Sequence, residues 1–195
     1  MIYTLNRLLT ANQMAEITRN YIPLGDKRYD AIEAGIRKSY PNSCVLWIEE
    51  VCNPDLEEAY TLKKQEIKTL RGKPCGEAEL YHGTREGTVA TILRDGFDPT
   101  VNKRSVYGKG SYFAAQASYS REYAPPASDE ISYMLICSVL IGSVGTYGDS
   151  KVIDTTKHDL SVNNLKTPTI YAMPYKEGAV PRYVVAFHRN AKAIG

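Results

Sequence analysis

The chain is predicted to fold as a single α+β domain with a mainly antiparallel sheet and flanking helices, on three observations. Helical periodicities fall in the first half of the sequence. Apolar runs rich in β-branched and aromatic residues fall mostly in the second half. The chain's 195 residues, 43% hydrophobic, suffice for one well-filled core but not for two.

Residues 1 to 25 lack a strong period and read as a helix-containing N-terminal extension, with the domain itself spanning 26–195. From Asp26 onward, Tyr29, Ile32, Ile36 and Tyr40 recur at helical spacing; Asp26 is suited to the N-cap, and Pro41, Asn42 and Ser43 stop the helix. VLWIEEV (45–51) reads as a strand. Asn53 and Pro54 open a second helix, DLEEAYTLKKQEIKTL, in which Leu56, Tyr60, Lys63, Ile67 and Leu70 share a face; acidic residues come early and lysines late, as the helix dipole prefers. RGKPCGEA is a loop, ELYHG a short strand, and TREGTVATILRDG a helix closed by Gly96. FDPTVNKRSVYGKG is polar, carries Pro and Gly, and reads as an irregular loop. SYFA extends into a short helix, ASYSREYA. ISYMLICSVLIG, almost continuously apolar, reads as a fully buried strand. After a second polar loop, DTTKHDLSVNNLKTP, come the strand TIYAM, the connection KEGAVP and the closing strand RYVVAF.

Composition excludes several classes of function. Lys and Arg are interspersed with nearly as many Asp and Glu, for a net charge of +2, so there is no basic stripe to follow a phosphate backbone. The four cysteines form no CxxC pair, and with three histidines no zinc spacing can be assembled, so no metal is expected. Neither a signal peptide nor a membrane span is read at the N-terminus. Unpaired cysteines without an export signal point to an intracellular, reducing setting; a monomer is expected.

The most informative stretch is YGKGSYFAAQASYSREYA (107–124), which places four tyrosines among glycines and small residues. It fails as a dinucleotide fingerprint, lacking the third glycine and a preceding strand, and as a Walker loop, lacking the GK(S/T) ending. Ordinary half-buried packing is one reading of its tyrosines. The other rests on geometry: in a helix, Ser120 and Tyr123 project from one face, and Tyr112 arrives from the strand before. Two aromatic planes with a hydroxyl between them could sandwich a flat, amide-bearing ring such as nicotinamide.

YHGT (81–84), followed by YGKGSYFA and then Ser120 and Tyr123, resembles the catalytic domain of the poly(ADP-ribose) polymerase (PARP) family of diphtheria-toxin-like ADP-ribosyltransferases. Upstream, YDAIEAGIRKSYPNSCVLWIEEVCNPDLEEAYTLKKQEI is similar to the family's helix, strand and helix before the HGT strand, and TPTIYAMPYKEGAVPRYVVAF to its last strand pair. The resemblance implies the ADP-ribosyltransferase fold, with antiparallel sheets forming an NAD cleft and NAD as co-substrate. By position it implies that His82 hydrogen-bonds a ribose hydroxyl and that Gly83 lets the main chain reach the nicotinamide carboxamide. It further implies that Tyr112 and Tyr123 pack on the two faces of the nicotinamide, and that the Ser120 hydroxyl holds the carboxamide.

The family's polymerising members carry a glutamate at the start of the strand before the last, where it activates the hydroxyl on which a chain grows. Aligning the proline of VPRYVV places Ile170 there, giving His82, Tyr112 and Ile170 as the three catalytic positions. Isoleucine can neither accept a proton nor orient a hydroxyl, so the resemblance implies transfer of a single ADP-ribose. A silent NAD-binding or ADP-ribose-binding module is the alternative, and polymer synthesis a further one. Residues 98–110 are expected to cover the NAD and 154–168 to border the acceptor, a protein side chain or a nucleic-acid end.

Overall fold

The computed structural model describes residues 16–102, 105–146 and 152–189. These form strands β1 (Thr18–Ile22), β2 (Cys44–Cys52), β3 (Gly76–Thr84), β4 (Ser111–Ala114), β5 (Ile131–Ile141), β6 (Val144–Gly145), β7 (Leu160–Val162), β8 (Ile170–Met173) and β9 (Ala179–His188). The helices are α1 (Lys27–Ser39), α2 (Pro54–Arg71), α3 (Glu86–Asp95) and α4 (Ala117–Arg121), with a 3-10 turn at Lys176–Gly178. The described strands make one sheet in the order β1-β2-β9-β5-β3-β4-β8-β7-β6. Every neighbouring pair in it is antiparallel except β6 with β7.

Helices cover both faces, and this explains the continuous apolar run of β5. Leu135, Cys137 and Val139 point into the core that also holds Tyr60 and Ile67 of α2 and Val89, Ile92 and Leu93 of α3. Met134 and Ile136 point into the core that holds Tyr29 and Ile36 of α1 and Ala117 of α4. A strand buried on both sides loses the alternation of a half-exposed one. The caps follow the sequence. Asp26 accepts from the Arg28 N–H, Asn53 accepts from Asp55 and Leu56, and Gly96 closes α3 at φ 77°.

Several elements differ from the sequence reading, the closing strand among them, since it begins at Ala179 within the segment read as a connection. The helix expected within the N-terminal extension falls in part on residues 1–15, outside the described residues; Thr18–Ile22 is an edge strand paired with β2. The strand read as ELYHG begins earlier, at Gly76, because the whole of 76–84 is laddered to β5. On α2, Leu70 is exposed, while Tyr60 and Ile67 carry the buried face. The polar segment 154–168 contains β7, all three of whose residues are buried.

The burial of β7 rests on polar groups satisfied from far along the chain. Asp159, fully buried, receives Nε and Nη2 of Arg71 at 3.1 and 2.9 Å and the Ser143 N–H. The same guanidinium donates to the carbonyls of Thr155 and Thr156. The planar fork of arginine meets all these acceptors at once, and a lysine cannot. Arg71→Lys is therefore expected to destabilise the fold by about 1–2 kcal/mol, read as a lowered urea midpoint; an unchanged midpoint would contradict this clamp.

Candidate active site

The site lies where the sheet comes apart. β3 and β4 share a single register pair, Tyr81 with Ala114, although β3 is laddered to β5 along its full length and β4 to β8 along its own. Beyond that pair the two strands splay, and a cleft of about 770 Å³ opens between them, within the usual size range of small-ligand sites. His82 to Arg85 and Thr88 line one side, Ser111 to Ala114 another, and Tyr119, Ser120, Glu122 and Tyr123 a third. Asp98, Val101, Asn102, Val106 and Tyr107 of the long loop close over it.

His82 bridges the gap where the ladder stops. Its Nδ1 lies 2.7 Å from the Tyr112 carbonyl oxygen, which can only accept, so Nδ1 carries the proton and Nε2 is left as a lone-pair acceptor. The imidazole is held edge-on against Phe97 at 5.0 Å and tilted against Phe113 at 5.6 Å between ring centroids. Burial lowers its pKa below the ordinary value of 6.5, and the carbonyl bond opposes that shift. The ring is thus a neutral imidazole of fixed tautomer at neutral pH.

Tyr112 is fixed through its hydroxyl, which receives the Tyr107 N–H and donates to the Gly108 carbonyl, both at 2.7 Å. These bonds fasten the loop over the cleft to β4, as does the bond from Asn102 Nδ2 to the Gly110 carbonyl. Ser161 of the buried β7 donates its hydroxyl to the Tyr107 carbonyl, tying the far end of the sheet to the same loop. Gly110 sits so close to β8 that a Cβ would lie 2.6 Å from the Met173 carbonyl oxygen.

Gly83 is required here for a reason other than ligand access. A Cβ on it would lie 1.8 Å from the Ser120 carbonyl oxygen, so its missing side chain is what lets α4 rest on β3. Ser120 completes that contact. It is buried, and its hydroxyl donates to the Tyr81 carbonyl at 2.9 Å, keeping lone pairs free to accept from a ligand. α4 ends at Arg121, sooner than the sequence pattern implied, so Tyr123 lies in the turn beyond it. The turn is tight, with the Tyr123 N–H bonded to the Ser120 carbonyl at 3.0 Å; Ser120 is buried, and the half-exposed Tyr123 pairs with Tyr119. Both nevertheless line the cleft.

Of the residues selected from the sequence, the fold brings His82, Gly83, Tyr112, Ser120 and Tyr123 to one cleft. Ile170 is not among the lining residues. It begins β8 opposite Ala114, which does line the cleft, and is buried, with its N–H donating to Asn163 Oδ1 at 3.0 Å. Glu177, the carboxylate nearest to it in sequence, sits in the 3-10 turn packed against α2. Sequence reasoning missed Arg85, the single Lys or Arg among the described lining residues, and gave no ligand role to Tyr107 or Tyr119, which line the cleft as well. The spacing of Tyr119 four residues before Tyr123 was the available signal.

A splayed, mostly antiparallel sheet with helices on both faces and this cleft at the splay is the architecture of the ADP-ribosyltransferase fold. The family model of the Poly(ADP-ribose) polymerase catalytic domain matches residues 28–188, and the chain belongs to that family. It is 29% identical over 177 residues, 84% of its length, to the human (Homo sapiens) Protein mono-ADP-ribosyltransferase PARP14, and 31% identical over 177 residues, 85% of its length, to the mouse (Mus musculus) Protein mono-ADP-ribosyltransferase PARP12. It covers 10% and 25% of those two proteins. A shorter match, 35% over 71 residues, joins 34% of the chain to 3% of the Poly [ADP-ribose] polymerase tankyrase of Caenorhabditis elegans.

Proposed function

We propose that this domain transfers a single ADP-ribose from NAD to an acceptor, a protein side chain including its own, and releases nicotinamide. The observation that carries the reading is the His82–Tyr112 bridge in the wall of a cleft that Ser120 and Tyr123 also line. The relatives named as protein mono-ADP-ribosyltransferases support a single transfer to protein. The apolar Ile170 at the third catalytic position supports it independently, since it supplies no base to activate a ribose hydroxyl for chain growth.

In this reading Nε2 of His82 accepts a hydrogen bond from a hydroxyl of the nicotinamide ribose, and Tyr112 and Tyr123 flank the nicotinamide ring. The Gly83 main chain and Ser120 hold the carboxamide. The bond from the ribose anomeric carbon to the nicotinamide nitrogen breaks, nicotinamide leaves as a neutral ring with the bonding pair, and the oxocarbenium-like carbon is captured by an acceptor that gives up its proton. The protein's contribution is to fix the donor so that attack is effectively intramolecular and the hydrogen bonds strengthen as charge moves onto the carboxamide. The domain's four free thiols suit a reducing intracellular compartment. Among the described residues, no helix is long and apolar enough to cross a membrane.

Arg85, the N-cap residue of α3, lines the cleft together with Thr88, and its fixed positive charge suits it to hold the diphosphate of NAD. Arg85→Ala is expected to raise KM for NAD about five- to tenfold, the worth of one charge-assisted hydrogen bond discounted for solvent screening at the exposed Arg85, with kcat within about twofold. Nicotinamide release measured against NAD concentration tests both statements. Release with that KM shift supports the reading; NAD binding without release or transfer would replace it with a silent binding module.

A further inference from the structure

Tyr123 lies in the turn beyond the helix that carries Ser120, its N–H bonded to the Ser120 carbonyl, but 52% of it is exposed, so no packed core fixes its ring. What it does have is Tyr119. The two rings lie 5.5 Å apart between centroids at 42°, and their hydroxyls are 3.2 Å apart, with either able to donate. Tyr119 is the better anchored of the two, being within α4 and less exposed, at 38%. Both line the cleft.

We propose that Tyr119 is a positioning residue for nicotinamide recognition: through its hydroxyl and ring edge it holds Tyr123 in the orientation that forms one wall of the ring slot. This rests on the reading that the cleft binds NAD with Tyr123 against the nicotinamide. An aromatic wall that must be ordered on binding costs rotamer entropy, and a wall already held by a neighbour does not. The hydroxyl pairing survives at working pH. Burial first, and the bond to Tyr123 second, raise the Tyr119 phenol pKa, so Tyr119 stays protonated. The effect is local to the nicotinamide end, because the Arg85 side of the cleft lies on a different element, at the start of α3.

Two probes separate the ends of the site: benzamide, a flat amide-bearing ring, and ADP-ribose, which lacks the ring. Binding of each is measured by calorimetry to the wild type, Tyr119→Phe, Tyr123→Phe and the double variant. All three variants keep both rings and remove only hydroxyls, so the fold is retained. Each single variant is expected to bind benzamide about three- to fivefold more weakly, the worth of one partly exposed hydrogen bond, and ADP-ribose within about twofold of wild type. The double variant is expected to be no weaker than either single one, because both remove the same bond. Wild-type benzamide affinity in Tyr119→Phe would overturn the proposal. So would losses that multiply in the double variant, or equal losses for ADP-ribose. A wild type that binds neither probe would instead overturn the NAD site, and this proposal with it.

Discussion

His82→Ala is expected to lower kcat/KM for NAD by about 10²–10³, the usual cost of losing one positioned hydrogen bond to a reacting group. The bond from Nδ1 to the Tyr112 carbonyl fixes the tautomer, the two phenylalanines fix the ring plane, and Nε2 remains as the acceptor. Alanine removes that acceptor and the bridge between the splayed strands together. It also leaves a cavity beside Phe97 and Phe113, so the comparison is made at a temperature where a denaturation curve shows the variant fully folded. Wild-type turnover in the folded variant would contradict the assignment. The pH dependence has a definite sign. Because the native pKa is below 6.5, His82 is neutral in both native and unfolded chains above that value and contributes no pH dependence there. As pH falls below 6.5 the unfolded chain takes up the proton first, so His82's contribution to stability is lost as pH drops through the native pKa.

Gly83→Ala is expected to have the largest effect on the molecule. Its Cβ would lie 1.8 Å from the Ser120 carbonyl oxygen, 2.8 Å from the Ser120 carbonyl carbon and 3.2 Å from the Ala124 nitrogen. All three are backbone atoms, so no rotamer change relieves the overlap and α4 must move off β3. Overpacking of a well-packed site typically costs about 1–3 kcal/mol and can cost more, and the displaced element is the one that carries Tyr119 and Ser120 and leads into Tyr123. The expected result is a fold destabilised by about 3 kcal/mol or more that no longer binds NAD. Gly87→Ala is the internal control. Nothing lies within 4 Å of a Cβ there, and it sits in the first turn of α3. Its expected effect is neutral to about 1 kcal/mol stabilising. Equal melting temperatures for the two variants, with NAD binding kept in both, would contradict the account of the β3–α4 contact.

Much of the frame could be read from the sequence, because it is written in periodicity and caps. Asp26, Asn53 and Gly96 mark helix ends by local hydrogen bonds and backbone conformation, and ISYMLICSVLI is apolar at every buried position except Ser132. β7 was not legible. Asp159 and Ser161 look like loop residues until Arg71 and Tyr107, 88 and 54 positions away, supply their partners. The edge strand Thr18–Ile22 was missed for a related reason: four of its five residues are exposed, so it carries no burial pattern. At the site, the HGT and SYFA motifs led to His82, Gly83 and Tyr112. The splay after Tyr81 and Ala114, which makes the cleft, depends on strand pairing that no local pattern encodes. The same holds for Gly83, whose absent side chain answers to Ser120 on a different element.

The central claim, transfer of one ADP-ribose per acceptor site from NAD, is tested most directly by intact-protein mass spectrometry. The domain is incubated with NAD and an acceptor protein, beside His82→Ala, and free nicotinamide is quantified in the same samples. The account predicts discrete increments of single ADP-ribose units with matching nicotinamide, both lost in the variant. A long ladder of ADP-ribose units on one site would contradict it, placing elongation within reach of a site that has isoleucine at position 170.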